Sequence, residues 1–421
     1  MPFLRRLLGV PAPFRIRSYR YQWPADLLTS WAFEMETLIL GWYMLVETNS
    51  VVMLTAFGAL LYGGTLIAPI VGVWSDRIGH RVMLTAMRSG YAVVAGTLMT
   101  LAFTGTLKPE IVLVMAALTG LMRPSDMGLR GAMIADTMPP GILTAAMGIA
   151  RTTTDTARIF GALTGAGLFA AIGLGPSYLA ITTIYVLGAI LTWNAMVPGP
   201  AQTVQSAEEA GPKPSPWREL WEGVVLVWNT PRLLAIVWYA FLFNFAVFPL
   251  TNGLMPYAAK EIFLTDQKGL GYLMASVALG AFIGSIGMTR SGMRVELAQL
   301  MIVAAVIWHI LVLIFAQTTT LEAGIVMLML CGFAQSLTMV CHTVILLSAS
   351  DPRYRGRIMG VRMMAIYSLP LGLLAAGVLI GLIGYRATAS LYAVLGLAFT
   401  VLIAIRWRVS LWQSRSLADV R

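Results

Sequence analysis

Gly72-Val73-Trp74-Ser75-Asp76-Arg77-Ile78-Gly79-His80-Arg81 is a short charged turn pinned between two apolar runs. Val51 to Trp74 precedes it and Val82 to Thr104 follows. Each run is close to the ~20 residues an α-helix needs to cross a ~30 Å hydrocarbon core. The decad therefore reverses the chain at a membrane surface. Gly72 lets two helix backbones approach where a Cβ would intrude, and Gly79 supplies a turn conformation that costs other residues a steric penalty. Asp76 suits the positive N-terminal end of a neighbouring helix, while Arg77 and Arg81 suit carboxylates and helix C-terminal carbonyls. Such a turn is a latch able to open and close.

The composition around it belongs to an integral membrane protein. Mean hydropathy is +0.78, 58% of residues are apolar and 11% are charged, against roughly 25% charged in soluble domains. Apolar runs predict twelve spans near 24–46, 51–74, 82–104, 110–135, 143–168, 176–197, 233–255, 269–288, 297–316, 321–347, 361–383 and 387–405. The net charge of +10 would suggest nucleic acid on a soluble chain. Here the basic residues alternate in sides. Twenty fall on the N-terminal segment, the even connections and the tail, and only Lys108, Lys260, Lys268 and Arg386 on the odd connections. The positive-inside rule then predicts both termini in the cytoplasm of a multi-pass cell (inner) membrane protein, with the basic face on anionic lipid and no nucleic-acid partner.

Other classes find no support. The first twenty residues lack the apolar core and small-residue site of a cleaved signal. No Gly-x-x-x-x-Gly-Lys cradle is present, so a pump of this kind runs on something other than ATP. His309, His342, Cys331 and Cys341 lack metal-ligand spacing, and neither metal nor cofactor is expected. No Ser, His and Asp set shares one depth, which argues against an enzyme.

The expected division is a segment 1–22, a six-helix bundle 23–197, a linker 198–232, a second bundle 233–405 and a tail 406–421. Pro198 to Pro216 is Pro-, Gly- and Ala-rich without periodicity. After it, Trp217, Leu220, Trp221, Val224, Val225 and Trp228 recur at helical spacing. That pattern fits a helix in the membrane surface, or one packed on the protein's own end. The halves repeat weakly: Arg77-Ile-Gly79-His-Arg81 recurs as Arg290-Ser-Gly292-Met-Arg294, and Met147-Gly148 as Met359-Gly360, about 212 residues on. A same-direction repeat predicts two bundles about a shared cavity.

Charges inside the spans carry the mechanism, since each costs about 2.5–3.5 kcal/mol at mid-bilayer unless paired or wet. Asp26, Ser30, Glu34, Thr37 and Gly41 fall within a stripe under about 90° wide, and Glu36 points elsewhere. Glu34 is the candidate proton carrier, with a structural salt bridge as the alternative. Glu36 reads as a bridge to another helix and Asp26 as a surface-level cap. Arg123, Asp126 and Arg130 share one face of span four, and Arg151, Asp155 and Arg158 one face of span five. They form either an ion-pair lattice, or a set in which Arg123 or Arg158 answers Glu34 and an anionic part of the cargo while Arg130 and Asp136 join the Asp76 latch. Arg88 reads as a bridge partner or a snorkelling residue. Phe241, Asn244, Phe248 and Asn252 on span seven, and Cys331, Gln335, Thr338 and His342 on span ten, suit the cavity of an amphipathic organic molecule or plain helix packing. Pro370 is expected to kink span eleven.

Gly72, Asp76, Arg77, Gly79 and Arg81 resemble the loop between helices two and three of the major facilitator superfamily, with His80 where Arg or Lys is usual. The resemblance implies an all-α membrane fold of twelve transmembrane helices in two six-helix bundles. In that family the loop braces the cytoplasmic gate of a secondary transporter. Gly128 to Asp136 with Met138-Pro139, Ala145 to Ala162, and Asp351-Pro-Arg353-Tyr-Arg355-Gly356-Arg357-Ile-Met-Gly360 resemble its enterobactin-exporter and macrolide-efflux branch. That branch implies a monomeric exporter of a small amphipathic molecule, drug or siderophore-like, in exchange for protons. Gly161 is followed by Ala162 where the branch carries Pro, so the helix-five kink and its antiport inference lack that support. A lipid or lysophospholipid carrier, and a membrane sensor or assembly protein of the same fold, are the alternatives.

Overall fold

The computed structural model describes residues 12–66, 71, 74–75, 77–195, 216–291, 296–349 and 354–412. Gly72, Asp76, Gly292, Arg294, Asp351, Arg353 and most of the linker lie outside the described residues. Among the described residues every regular element is helical.

The first half comprises α1 (Arg17–Thr48), α2 (Val51–Leu60, then a 3-10 turn Gly63–Leu66), α3 (His80–Phe103), α4 (Pro109–Thr137), α5 (Pro140–Ile172) and α6 (Leu174–Asn194). A linker helix α7 (Pro216–Asn229) precedes the second half. That half comprises α8 (Pro231–Leu242), α9 (Gln267–Ser291), α10 (Leu297–Phe315), α11 (Leu321–Ser348), the broken pair α12 (Arg355–Ile366) and α13 (Ser368–Ile383), and α14 (Tyr385–Arg406). Span eleven breaks where Pro370, lacking an N–H, cannot bond the Ile366 carbonyl. Span seven runs on from α8 through π turns at Phe243–Val247, Pro249–Gly253 and Ala258–Ile262.

Nine helices among the described residues are long and apolar enough to cross a membrane, where the sequence predicts twelve spans. The three that fall short have a physical reason. Asp26, Glu34 and Glu36 interrupt the apolar run of α1, and Arg151, Asp155 and Arg158 that of α5. The third, α2, is a described α-helix only to Leu60. α1 and α5 pack on each other, which lets interior contacts rather than lipid meet their charges.

The repeat predicted from sequence extends to detail. Gly173 and Gly384 both take φ of +79° where the fifth and sixth spans of each half meet, a conformation that favours glycine. One turn on, the Ser177 hydroxyl donates to the Gly173 carbonyl at 2.6 Å and the Thr388 hydroxyl to the Gly384 carbonyl at 2.8 Å.

The halves meet most closely at the end holding the odd connections. A methyl group on Gly271 of α9 would stand 2.5 Å from the Ala166 Cβ of α5. One on Gly377 of α13 would stand 2.1 Å from the Thr55 hydroxyl of α2. At the same end Lys260 donates to the Asn49 side-chain oxygen at 2.9 Å.

Candidate functional site

The polar face of α1 meets α3, α4 and α6 in a closed ring of charge. Arg88 of α3, wholly buried, donates to Asp26 and to the Thr192 hydroxyl, and its Nε lies 3.7 Å from Asp126. Arg130 completes the ring, 2.5 Å from Asp126 and 3.9 Å from Asp26, and donates to the Ser30 hydroxyl at 2.5 Å. Two carboxylates and two guanidiniums thus compensate one another's charge, the condition under which buried ions persist, and Asp26, Asp126 and Arg130 border a cavity. Two expectations are corrected here. Asp26 is no surface cap, because Arg88 and Arg130 cover it. Arg130 does not belong to the latch, because its guanidinium is committed to this interior ring.

Glu34 stands one turn along α1 from Ser30, in looser company. Its carboxylate is 3.8 Å from Arg123, and the two side chains are 16% and 20% exposed. Arg123 lies flat over the Phe33 ring at 3.2 Å, with Tyr62 at 5.6 Å, so cation–π attraction holds it when the carboxylate lets go. Gly161 of α5 abuts Glu34: a methyl group there would come within 2.7 Å of the Glu34 Cβ. The pair lines a cavity of about 340 Å³ within the first half, together with Asp26, Ser30, Asp126 and Arg130 of the ring and with Tyr91 and Arg151. That volume is in the range of small-molecule pockets, roughly 300–1,000 Å³.

The remaining charges distribute around it. Glu36 faces the other way, buried, and accepts from the Tyr185 hydroxyl of α6 at 2.9 Å. Its partner on the other helix is thus a phenol. Arg151 pairs with Asp155 at 3.3 Å. Arg158 crosses to the second half and donates to the Asn252 side-chain oxygen at 3.2 Å, on a π turn of span seven. Asp136 bonds His80 Nδ1, at the first residue of α3, at 2.6 Å. Gly79, at φ of +97°, precedes α3; Arg77 is helical just before it, and Arg81 reaches the Ala195 carbonyl and the Trp193 ring. Arg355 and Gly356 begin α12, and Arg357 bonds Glu222 of the linker helix at 2.7 Å.

Of the residues expected to line a cavity, Ser30 lines this one. Gln335, Thr338 and His342 are instead buried in helix packing: Thr338 donates to the Ala334 carbonyl, and His342 lies 3.0 Å from the Ile236 carbonyl of α8. Phe248 sits edge-on to Trp308, Phe241 stacks on Phe245, and Asn244 donates to the Ala240 carbonyl. Asn244, Thr338 and His342 turn a polar atom to a backbone carbonyl because within hydrocarbon no water replaces an unmade bond. The linker helix packs Gly223 on the Arg357 backbone while leaving Trp221 and Trp228 exposed.

Sequence reading missed the Tyr185 partner of Glu36, the pairing of Asp26 with Arg88, and the reach of Arg158 to Asn252. All three join helices far apart in the chain. The one signal available for the last was span seven's Pro249 and Gly253 about Asn252, which accompany its π turns.

Two helical halves of repeated construction, the first holding a charged cavity, make up the fold of a membrane transporter family rather than of an enzyme. The sequence model of the Major Facilitator Superfamily matches residues 25–369, and the chain belongs to that family. No curated protein sequence matches the chain at a significant level. Among solved structures it is similar to a bacterial homolog of the human lysosomal transporter Spinster in an inward-facing and unoccupied conformation. The TM-score is 0.72 and the identity 14% over 96% of this chain and 100% of that one. It is similar to the POT family transporter PepTSo, with TM-score 0.75 and 13% identity over 96% and 99%. It is also similar to the nucleoside transporter NupG, with TM-score 0.71 and 15% identity over 94% and 99%.

Proposed function

We propose that the protein is a secondary active transporter that exports a small amphipathic organic molecule by alternating access, in exchange for protons. The observation that carries this is the Glu34–Arg123 pair, a long 3.8 Å contact on a cavity wall, partly reached by solvent. When Glu34 takes a proton, the pair loses its attraction and Arg123 stays on the Phe33 ring. When Glu34 releases the proton, the pair reforms. That is a two-state element placed where cargo sits, the minimum an exchanger needs. The alternation of basic residues supports cytoplasmic termini in a cell inner membrane. With that orientation, contacts such as Asn49 with Lys260 and Gly377 with Thr55 close the outer end. Asp76, His80 and Asp136 serve the inner gate in this reading, and the chain works as a monomer.

Proton-gradient-driven uptake of a panel of fluorescent drugs into everted vesicles tests it, comparing wild type with Glu34→Gln. Wild type should concentrate at least one dye and the variant should lose at least tenfold of that uptake. Unchanged flux in the variant rejects the proton role.

A further inference from the structure

The cavity of the first half is walled by ions whose charges sum to zero. Three carboxylates line it, Asp26, Glu34 and Asp126, and three guanidiniums, Arg123, Arg130 and Arg151. The groups that pair with them from outside the lining, Arg88 with the two aspartates and Asp155 with Arg151, preserve the balance. An ion of either sign brought into such a space adds a charge with no counter-ion, at a cost that grows as the dielectric falls. A ligand of zero net charge leaves the balance intact.

Within this lining two ions have bonding capacity to spare. Asp26 and Asp126 are held by Arg88 and Arg130, Arg130 also donates to Ser30, and Arg151 pairs with Asp155. Glu34 and Arg123 have each other at 3.8 Å, which is longer than a hydrogen bond. Neither side chain makes a hydrogen bond to a described residue. The Phe33 ring, 3.2 Å from Arg123, meets the face of the guanidinium and leaves its N–H edge open. Tyr91 adds a third open group: it lines the same cavity, is 3% exposed, and its hydroxyl has no hydrogen-bond partner. Buried polar groups are ordinarily bonded, so one left open on a cavity wall points to an occupant. Phe33, Met127, Ile134 and Met147 supply apolar wall beside these groups.

We propose that the cavity recognises an amphipathic zwitterion, its ammonium on Glu34, its carboxylate or phosphate on Arg123, and its apolar body against Phe33 and the methionines. A cation alone would leave the Arg123 edge unmet, and an anion alone would leave Glu34 unmet. A compound carrying both charges close together serves the pair at once, with charge-assisted bonds at each end. The inference deepens the transport reading by naming its cargo class, yet the binding step stands without it.

The test is binding to the full-length protein in neutral detergent at neutral pH, read by titration calorimetry and thermal shift. The probes share a naphthylalanine body: the free amino acid as zwitterion, its carboxamide as cation, its N-acetyl derivative as anion, and the N-acetyl carboxamide as neutral form. Wild type should bind the free amino acid at least tenfold more tightly than each of the other three. Glu34→Gln should bring it down to the level of the N-acetyl derivative, and Arg123→Gln to that of the carboxamide. General loosening of the fold would weaken all four alike and could not give that crossed pattern. Should a Gln variant not fold, Glu34→Asp and Arg123→Lys carry the test, since each keeps its charge and should keep the free amino acid ahead at severalfold lower affinity. Lysophosphatidylethanolamine against lysophosphatidylglycerol, run alongside, separates a zwitterionic lipid head from a soluble molecule as the source.

Equal binding of all four probes, no binding of the amino acid or of lysophosphatidylethanolamine, a cation or anion ahead of the zwitterion, or a ranking unmoved by both Gln variants overturns the proposal. Zwitterion binding without proton-driven flux of the bound compound in proteoliposomes keeps this site and sinks the transport reading. Proton-driven dye flux with no zwitterion preference does the reverse.

Discussion

α4 and α11 are repeats of one another in register, and they carry opposite chemistry. Pro109 and Glu110 open one as Leu321 and Glu322 open the other, 212 residues on. Gly120 and Gly332 stand at the same offset, and a methyl group on either would meet a neighbouring helix carbonyl at 2.0 Å. At that offset Arg123, Asp126 and Arg130 become Gln335, Thr338 and His342. The first set builds the ion ring and a cavity wall; the second is buried, with Thr338 and His342 against backbone carbonyls. The two helices share the close crossing and differ in charge. Of these two helices, α4 holds the groups whose neutralisation would rearrange their neighbours.

The comparison breaks most decisively at Arg88. Arg88→Met leaves Asp26 and Asp126 facing one guanidinium instead of two. Orphaning a buried ion costs about 3–5 kcal/mol. The variant should show a large fall in detergent Tm and lose its monodisperse fraction. In the second half, His342→Leu, at the counterpart of Arg130, removes one bond to a carbonyl and should cost about 1 kcal/mol. Equal losses from the two would mean that the halves do not differ as described.

A middle-sized effect should follow where the halves touch. Gly377→Val brings a side chain against Thr55, with the built Cβ already 2.1 Å from its hydroxyl and 3.1 Å from its Cβ. The contact at that end should be pried apart. Cross-linking between cysteines placed at Asn49 and Lys260 should fall severalfold relative to the same pair in an otherwise wild-type chain. The native Cys331 and Cys341 are buried and leave the labelling background low. Unchanged cross-linking would show that α2 and α13 do not control the closure of that end.

How much of this was legible in the sequence follows from the range of each interaction. Helix positions depend on apolar runs and turns, which are local, so spans such as 297–316 and 321–347 match Leu297–Phe315 and Leu321–Ser348 closely. The stripe on α1 was legible for the same reason, because helical spacing fixes which side chains share a face. Partners were not legible. Asp26 looks like an end cap because it lies near the start of its span, and only the arrival of Arg88 from α3 and Arg130 from α4 buries it. Glu34 and Glu36, two residues apart, fall on different faces of one helix and meet an arginine and a tyrosine respectively. The span-ten stripe was read as open to cavity or packing, and its burial depends on how α8 and α9 lean against it.

The smallest expected effect lies at the loop ends, where the halves differ again. In the first half His80 at the start of α3 bonds Asp136 at 2.6 Å. In the second, Arg357 at the start of α12 bonds Glu222, which belongs to the linker helix rather than to the bundle. Glu222 is 39% exposed and Arg357 is 23% exposed. An ion pair that wet contributes about 0–1 kcal/mol, and salt screens it. Glu222→Gln should therefore lower Tm by at most a degree or two at low salt and by nothing measurable at high salt. Packing of Gly223 on the Arg357 backbone does not depend on charge, so Gly223→Leu should detach the linker helix whatever the salt, since its Cβ would come within 2.9 Å of a carbonyl. Fluorescence of Trp221 and Trp228, both exposed on the far face of that helix, reports the detachment. A Glu222→Gln effect as large as that of Gly223→Leu, and insensitive to salt, would mean that charge rather than close packing seats the linker helix.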